Sequence, residues 1–160
     1  MMWAGLVGPG KPWDLKIPFE NERAYRVMVG GCMIDAAVAG NIHYGYVGRA
    51  ARFSTFELLT AGGAAQRIGN YPSCGRWETY GDDPSDFMAV AFGAYLYNVY
   101  GADITEREFR QTFNVWASTG IFDRATLYNQ VDNGNIYAWL NDQRGVLGND
   151  VVDWLLWYLN

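Results

Sequence analysis

The sequence predicts a mostly α-helical fold: one compact domain over 1–160, with an extended N-terminal arm and a few irregular loops. Three observations carry that expectation. Ser54-Thr55-Phe56-Glu57 and Thr105-Glu106-Arg107-Glu108 are capping boxes, each with a hydroxyl at the N-cap and a glutamate three residues on. Asp83-Pro84 sets a good N-cap before a proline at the first helical position. Apolar residues at helical spacing follow these starts, and strand-like segments are scarce.

The elements follow in order. Residues 1–19, with Pro9, Pro12 and Pro18, read as the extended arm, anchored by Trp13. A motif-bearing core occupies 20–100. From Asn21 to about Ala39, Ala24, Val27, Met28, Gly31, Cys32 and Asp35 recur at spacings of three and four and predict a helix, with Gly30-Gly31 as its weak point. Gly40 ends that helix, and a loop around His43 follows. The Ser54 box starts a helix that Gly69-Asn70-Tyr71-Pro72 stops after Ile68. A loop from Asn70 to Asp82 carries Cys74, Trp77 and Tyr80. Asp83 then opens a buried helix to Tyr100, with Asp86 near its positive end. Residues 101–160 add further helices: one from Thr105 carrying Phe109, Phe113, Val115 and Trp116, one from Asp123 to Val131, a short one over Ile136–Leu140, and Asp150–Leu159.

Composition narrows the function. Half the residues are hydrophobic and 16% aromatic, with 7 Trp and 11 Tyr. Either the core is simply aromatic, or part of this surplus lines a groove, where stacking on sugar faces is a common use. The net charge is −5 and there are two lysines, so the chain lacks the overall basic excess of a nucleic-acid binder, although its ten arginines are free to cluster. One histidine and two cysteines, Cys32 and Cys74, form no paired ligand spacing. They allow one disulfide, and no metal or other cofactor is expected. No apolar run approaches a membrane span, and no signal peptide is visible. An exported protein would then owe its address to a larger parent chain or to a segment removed from it.

The densest cluster of chemistry is Asn41-Ile42-His43-Tyr44-Gly45-Tyr46-Val47-Gly48-Arg49, which holds the only histidine. His43 offers a group that titrates near neutral pH, and Asn41, Tyr44, Tyr46 and Arg49 offer stacking and hydrogen bonds to a ligand. The same residues also fit a loop packed by its own tyrosines. Asp35 has no other ionisable neighbour from Val27 to Gly40 apart from the Cys32 thiol. On an apolar helix it would be either a general acid with a raised pKa or a buried hydrogen-bonding residue that shapes the next loop. Asp83 and Asp86 fit helix capping, whereas Asp82 lies in the loop before the cap, has no such explanation and could face a cleft. Two carboxyl groups in different environments are the equipment of glycoside hydrolysis. No nucleophile elbow, phosphate loop or dinucleotide fingerprint occurs. His43 with Asp35 or Glu57, helped by Arg49 and Arg52, would equally serve a metal-independent ribonuclease.

The run from Asn41 to Ala51 with Phe53-Ser54 resembles the signature of the polymorphic toxin type 44 domain. Asp35, Leu58-Leu59-Thr60-Ala61-Gly62 with Gln66, Asp82-Asp83-Pro84-Ser85-Asp86 and the entry segment Pro12-Trp13-Asp14-Leu15-Lys16 fit the same pattern, over roughly Pro12 to Tyr100. Arg52-Phe53 departs from it, standing where the pattern has Gly-Phe. The resemblance implies an exported antibacterial toxin module with a cognate immunity protein, in a family grouped with predicted ribonucleases. Joined to the residue reading, it favours a muramidase acting on the glycan strand of peptidoglycan, lysozyme-like in general character. Asp35 would be the acid and Asp82 or Asp83 the base or nucleophile, with His43 in the site. Asn41, Tyr44, Tyr46, Arg49, Gln66 and Trp77 would hold substrate. The alternatives are the ribonuclease and a non-catalytic glycan-binding module.

Overall fold

The computed structural model of the protein describes residues 26–68, 79, 80 and 82–159, with the backbone alone for 65–68. The predicted arm and Trp13, the loop residues Cys74 and Trp77, and the side chain of Gln66 lie outside the described residues.

The first described element corrects the expected helix. Residues 26–35 form an antiparallel hairpin, β1 (Arg26–Val29) and β2 (Cys32–Asp35), in register Arg26↔Asp35 through Val29↔Cys32. Gly30 and Gly31 both have positive φ, 59° and 93°, which suits a two-residue hairpin turn and would strain most other residues. Val27, Val29, Cys32 and Ile34 turn inward while Arg26, Met28, Met33 and Asp35 face out. The period is therefore two, and β-branched residues fill the inner face. Cys32 carries a free thiol, 3.9 Å from Asn114 Oδ1.

The expected His43 loop is also helix. α1 spans Ala36–Ala50 without interruption, capped by the Asp35 carboxylate on the Ala37 N–H. α2 (Thr55–Ile68) starts at the Ser54–Glu57 box: Glu57 accepts from the Ser54 N–H and Ser54 Oγ accepts from the Glu57 N–H. α3 (Pro84–Tyr100) has Asp83 as N-cap and is buried along most of its length. A single 3-10 turn, Gly101–Asp103, leads to α4 (Glu106–Ala117), which carries the reciprocal Thr105–Glu108 box. α5 (Arg124–Asp132) is capped by Asp123, and α6 (Ile136–Asp142), α7 (Arg144–Leu147) and α8 (Asn149–Leu159) complete the described chain.

The core is built round α3. Phe92, fully buried, meets the rings of Phe109, Phe113, Trp116 and Phe122 at 4.8–6.5 Å. On its other side α3 meets α1 without side chains between them. A Cβ on Gly45 would run into the Val90 carbonyl, and one on Gly93 into the Ile42 carbonyl. Glycines here allow the two backbones to touch. Gly45 lies on Val90 and Ala94, and Arg49, four residues on, reaches Asn98 at 2.9 Å. The two helices therefore run in the same direction, and their N-termini lie at one end. Among the described residues, no helix is long and apolar enough to cross a membrane.

Candidate active site

Helical geometry divides the Asn41–Arg49 run between faces. Successive residues turn by roughly 100°, so His43 points away from both Asn41 and Gly45. Most of the polar members tie α1 to its neighbours. Tyr46 donates to the Gly101 carbonyl at 2.7 Å and Tyr44 to the Leu58 carbonyl at 3.4 Å. Arg49 donates to Asn98 Oδ1 and to the Phe53 carbonyl. Gly48 meets Leu58, which seats α2. Asn41 is buried, and its Nδ2 is, among the described residues, the buried side-chain polar atom left without a hydrogen-bond partner. Such a donor costs stability unless something pairs with it.

His43 is half-buried, and burial lowers its pKa below the usual histidine range. It is therefore neutral at neutral pH. Because the folded-state value is depressed, the unfolded chain binds the proton first, and this histidine withdraws stability as pH falls below about 6.5. As the only histidine, it supplies a single imidazole signal in a proton NMR titration. That signal is expected to move at a lower pH than in the denatured chain, and His43→Gln should reduce the loss of thermal stability between neutral and mildly acidic pH.

The second cluster sits where the N-termini of α1 and α3 meet the rest of the chain. Asp35 does not lie buried on an apolar helix, because the strand that delivers it turns its side chain outward opposite Arg26. Asp82 is 3% exposed. Its Oδ1 accepts the Asp83 N–H at 2.9 Å, and its backbone is locked to Thr79 by an N–H···O bond of 2.9 Å and a hydroxyl bond of 2.6 Å. Gly62 leaves room for Asp82, since a Cβ there would stand 2.6 Å from Oδ2, and Gly63 makes room for the Tyr80 carbonyl. The Gly62-Gly63 pair is what lets α2 lie against this turn. Tyr80 holds φ 54°, a left-handed conformation uncommon for a bulky residue.

Asp83 is fully engaged. Oδ1 accepts from Ser85 N at 2.9 Å and Ser85 Oγ at 2.6 Å, and Oδ2 from the Tyr128 hydroxyl at 2.8 Å and Arg124 at 2.7 Å. Burial pushes this carboxyl up, but the bonds from Ser85 and Tyr128 and the charge of Arg124 outweigh it and hold the carboxyl below the usual range. Asp83 is thus a permanent anion with no oxygen to spare, a cap and clamp. Asp83→Ala is expected to cost about 0.5–2 kcal/mol through the lost cap, with the acceptor of the Tyr128 hydroxyl and the ion-pair partner of Arg124 removed in addition. A depressed folded-state pKa contributes stability that is present above the unfolded value near 4 and disappears as pH falls through the folded value. Asp83→Asn should therefore flatten the acid limb of a denaturation series.

The start of α5 connects the two helix ends. Arg26, paired across the strands with Asp35, lies within electrostatic range of Asp123, and Arg124 beside it binds Asp83. Charges alternate along this end, from Asp35 and Arg26 through Asp123 and Arg124 to Asp83. The structure thus gathers Asp35, Asp82 and Asp83 towards one end and turns Tyr44, Tyr46 and Arg49 to structural ties. Sequence reading missed Arg124, Tyr128, Ser85 and the Gly62-Gly63 pair as parts of this end. Gly62, inside the Leu58–Gly62 motif, and Ser85, inside the Asp82–Asp86 motif, left a local signal, whereas Gly63, Arg124 and Tyr128 left none. Among the described residues, no three His, Cys, Asp or Glu side chains converge as a metal cage would require.

No curated protein and no solved structure matches the chain. The family model described as bacterial toxin 44 matches residues 2–99, which take in the hairpin, α1, α2 and nearly all of α3. By that match over more than half its length, the chain belongs to the bacterial toxin 44 family.

Proposed function

We propose that this toxin is an exported hydrolase that cuts the glycan strand of peptidoglycan as a muramidase, and that a cognate immunity protein protects the producing cell. The observation that carries the reading is the contrast between Asp35, exposed, and Asp82, 3% exposed, at the shared end of α1 and α3. Glycoside hydrolysis needs one carboxyl group to protonate the departing oxygen and another to activate water or attack the sugar. Asp35, exposed at the head of α1, takes the base or nucleophile role. The acid role falls to Asp82, withdrawn from water at the head of α3. This reverses the assignment expected from sequence, and Asp83 leaves the reacting set because all its acceptor positions are used.

The ribonuclease reading finds less support. Of its two phosphate-neutralising residues, Arg49 and Arg52, the first is bound to Asn98 and to the Phe53 carbonyl, on a face of α1 turned away from His43. Parallel incubation of the purified chain with peptidoglycan sacculi and with total RNA, from pH 4 to 8 (about two units either side of a raised carboxyl pKa), tests the choice. The muramidase reading expects soluble glycan fragments and intact RNA. Degraded RNA with intact sacculi would replace it with the ribonuclease.

A further inference from the structure

Asn41 is a residue whose burial the packing does not account for. It lies inside α1, is 9% exposed, and its Nδ2 is, among the described residues, the buried side-chain polar atom without a hydrogen-bond partner. A donor withdrawn from water and left unpaired destabilises the folded state. Asparagine is also a poorer helix former than leucine, which has a similar shape and no group to satisfy. The other polar members of the same run, Tyr44, Tyr46 and Arg49, each tie α1 to a neighbour. The Asn41 donor ties it to none.

Helix geometry shows where that donor stands. Gly45 rests on Val90 and Ala94 of α3, and Gly48 on Leu58 of α2. At roughly 100° per residue, Asn41 lies about 40° round α1 from Gly45 and about 20° from Gly48, nearer the helix start than either. It therefore faces the seam between α2 and α3. α2 begins beside the end of α1, where the Phe53 N–H bonds the Gly48 carbonyl and Arg49 bonds the Phe53 carbonyl. It then runs back to the head of α3, where Gly62 meets Asp82. From Gly48 towards Asn41, the seam leads to Asp82.

The chemistry of the partner follows. An orphan N–H needs an acceptor oxygen. Asp83, an anion at the same end, and the overall charge of −5 disfavour a carboxylate or phosphate as its source. The asparagine amide carries an acceptor beside its donor, so its closest complement is a second neutral amide. The acetamido group of an amino sugar is such an amide: its carbonyl takes one N–H and its own N–H is given to Oδ1. The last torsion of asparagine is soft, so the amide can turn its donor towards the part of the residue left open. Nδ2 is already out of water in the free protein, so pairing costs it no further hydration.

We infer that Asn41 is a specificity residue, giving its Nδ2–H to the acetamido carbonyl of an amino sugar held at the mouth of this seam beside Asp82. The sugar rests on the glycan-cleaving reading, while the requirement for an amide is testable apart from turnover.

The test measures binding by calorimetry to the full chain carrying Asp35→Asn, an exposed change that keeps a good N-cap. The probes are the β-1,4-linked tetramer of N-acetylglucosamine and the β-1,4-linked tetramer of glucose, which has a hydroxyl where the acetamido group stands. The chain is expected to prefer the first by about 5- to 100-fold, the worth of one hydrogen bond to a donor already desolvated. Adding Asn41→Leu or Asn41→Ala is expected to abolish the preference, and Asn41→Leu should melt no lower than its parent because the unpaired donor is gone. With Asn41 intact, its side-chain amide resonances should shift with the amino-sugar tetramer and stay in place with the glucose tetramer. A preference that survives both substitutions, or equal affinity of the parent for the two tetramers, would overturn the inference. So would Asn41 amide resonances that do not move at saturating amino-sugar tetramer. An Asn41-dependent preference in a protein that never cleaves sacculi would support the inference and remove the hydrolase reading alone. Cleavage of sacculi by a chain that shows no such preference would do the reverse.

Discussion

Gly93→Ala is expected to be among the most destabilising single changes in the chain. Its new methyl group would meet the Ile42 carbonyl and crowd the Tyr46 N–H. These are backbone atoms in the middle of a helix, so no rotamer change can relieve the overlap. The helices must separate, and with them the buried contacts of α3. Overpacking a tight core typically costs about 1–3 kcal/mol, and a backbone-on-backbone clash belongs at or above the top of that range. Gly45→Ala, pressing on Val90 from the other helix, should behave alike. The two changes share one contact, so their effects should fall short of additive. Urea denaturation of the single and double variants measures this. A loss below 0.5 kcal/mol for Gly93→Ala (roughly the size of an ordinary surface substitution) would mean that α1 and α3 do not touch through these glycines.

The second large effect concerns chemistry. Asp35→Asn should lower the rate on sacculi by about 10²–10⁴-fold, since an amide can neither accept a proton nor attack the sugar. Asparagine caps a helix about as well as aspartate, so the folded state should be nearly unaffected and the loss can be read as chemistry. Asp82→Asn should cost a similar factor, with a circular-dichroism and melting control because the residue is buried. His43→Ala should cost far less. If His43 instead proves the most sensitive position, and Asp35→Asn is silent, the acid–base work belongs to the histidine and the ribonuclease reading takes precedence.

The parts of the fold legible in the sequence were those with local causes. The boxes at Ser54 and Thr105 and the Asp83-Pro84 start each join groups within three residues, and each forms as written. The hairpin was misread because Val27, Met28, Gly31, Cys32 and Asp35 satisfy a helical spacing while Val27, Val29, Cys32 and Ile34 satisfy a strand pattern interrupted by a turn. In so short an apolar segment, periodicity does not decide between them. Gly30-Gly31 was the deciding signal, and it marks a turn. Gly45 and Gly48 suggested a bending loop because an isolated sequence does not reveal the backbone or Leu58 side chain that each glycine admits.

The candidate site was legible as residue types and not as environments. Asp35 was judged by its neighbours along the chain, all apolar, whereas a strand alternates its side chains and turned this one to solvent opposite Arg26. Asp83 was recognised as a cap, but the clamp that completes it comes from Arg124 and Tyr128, 41 and 45 residues away, and no local pattern announces such partners. The aromatic surplus was visible at once in the composition. Its division between the Phe92 cluster inside and the exposed Trp157 and Phe56 rings outside depends on how α8 and α2 are placed around α3.

The most direct measurement of the central claim is digestion of purified sacculi in water enriched in oxygen-18, followed by mass spectrometry of the released fragments. Cleavage of the glycan strand breaks the bond at the anomeric carbon, adds the water oxygen there and leaves a proton on the departing sugar oxygen. A muramidase working through Asp35 and Asp82 predicts soluble disaccharide-peptides with the heavy oxygen at the reducing end of N-acetylmuramic acid, and none from the Asp35→Asn protein. Label confined to peptide carboxyl groups, or sacculi that stay insoluble across the tested pH range, would contradict it.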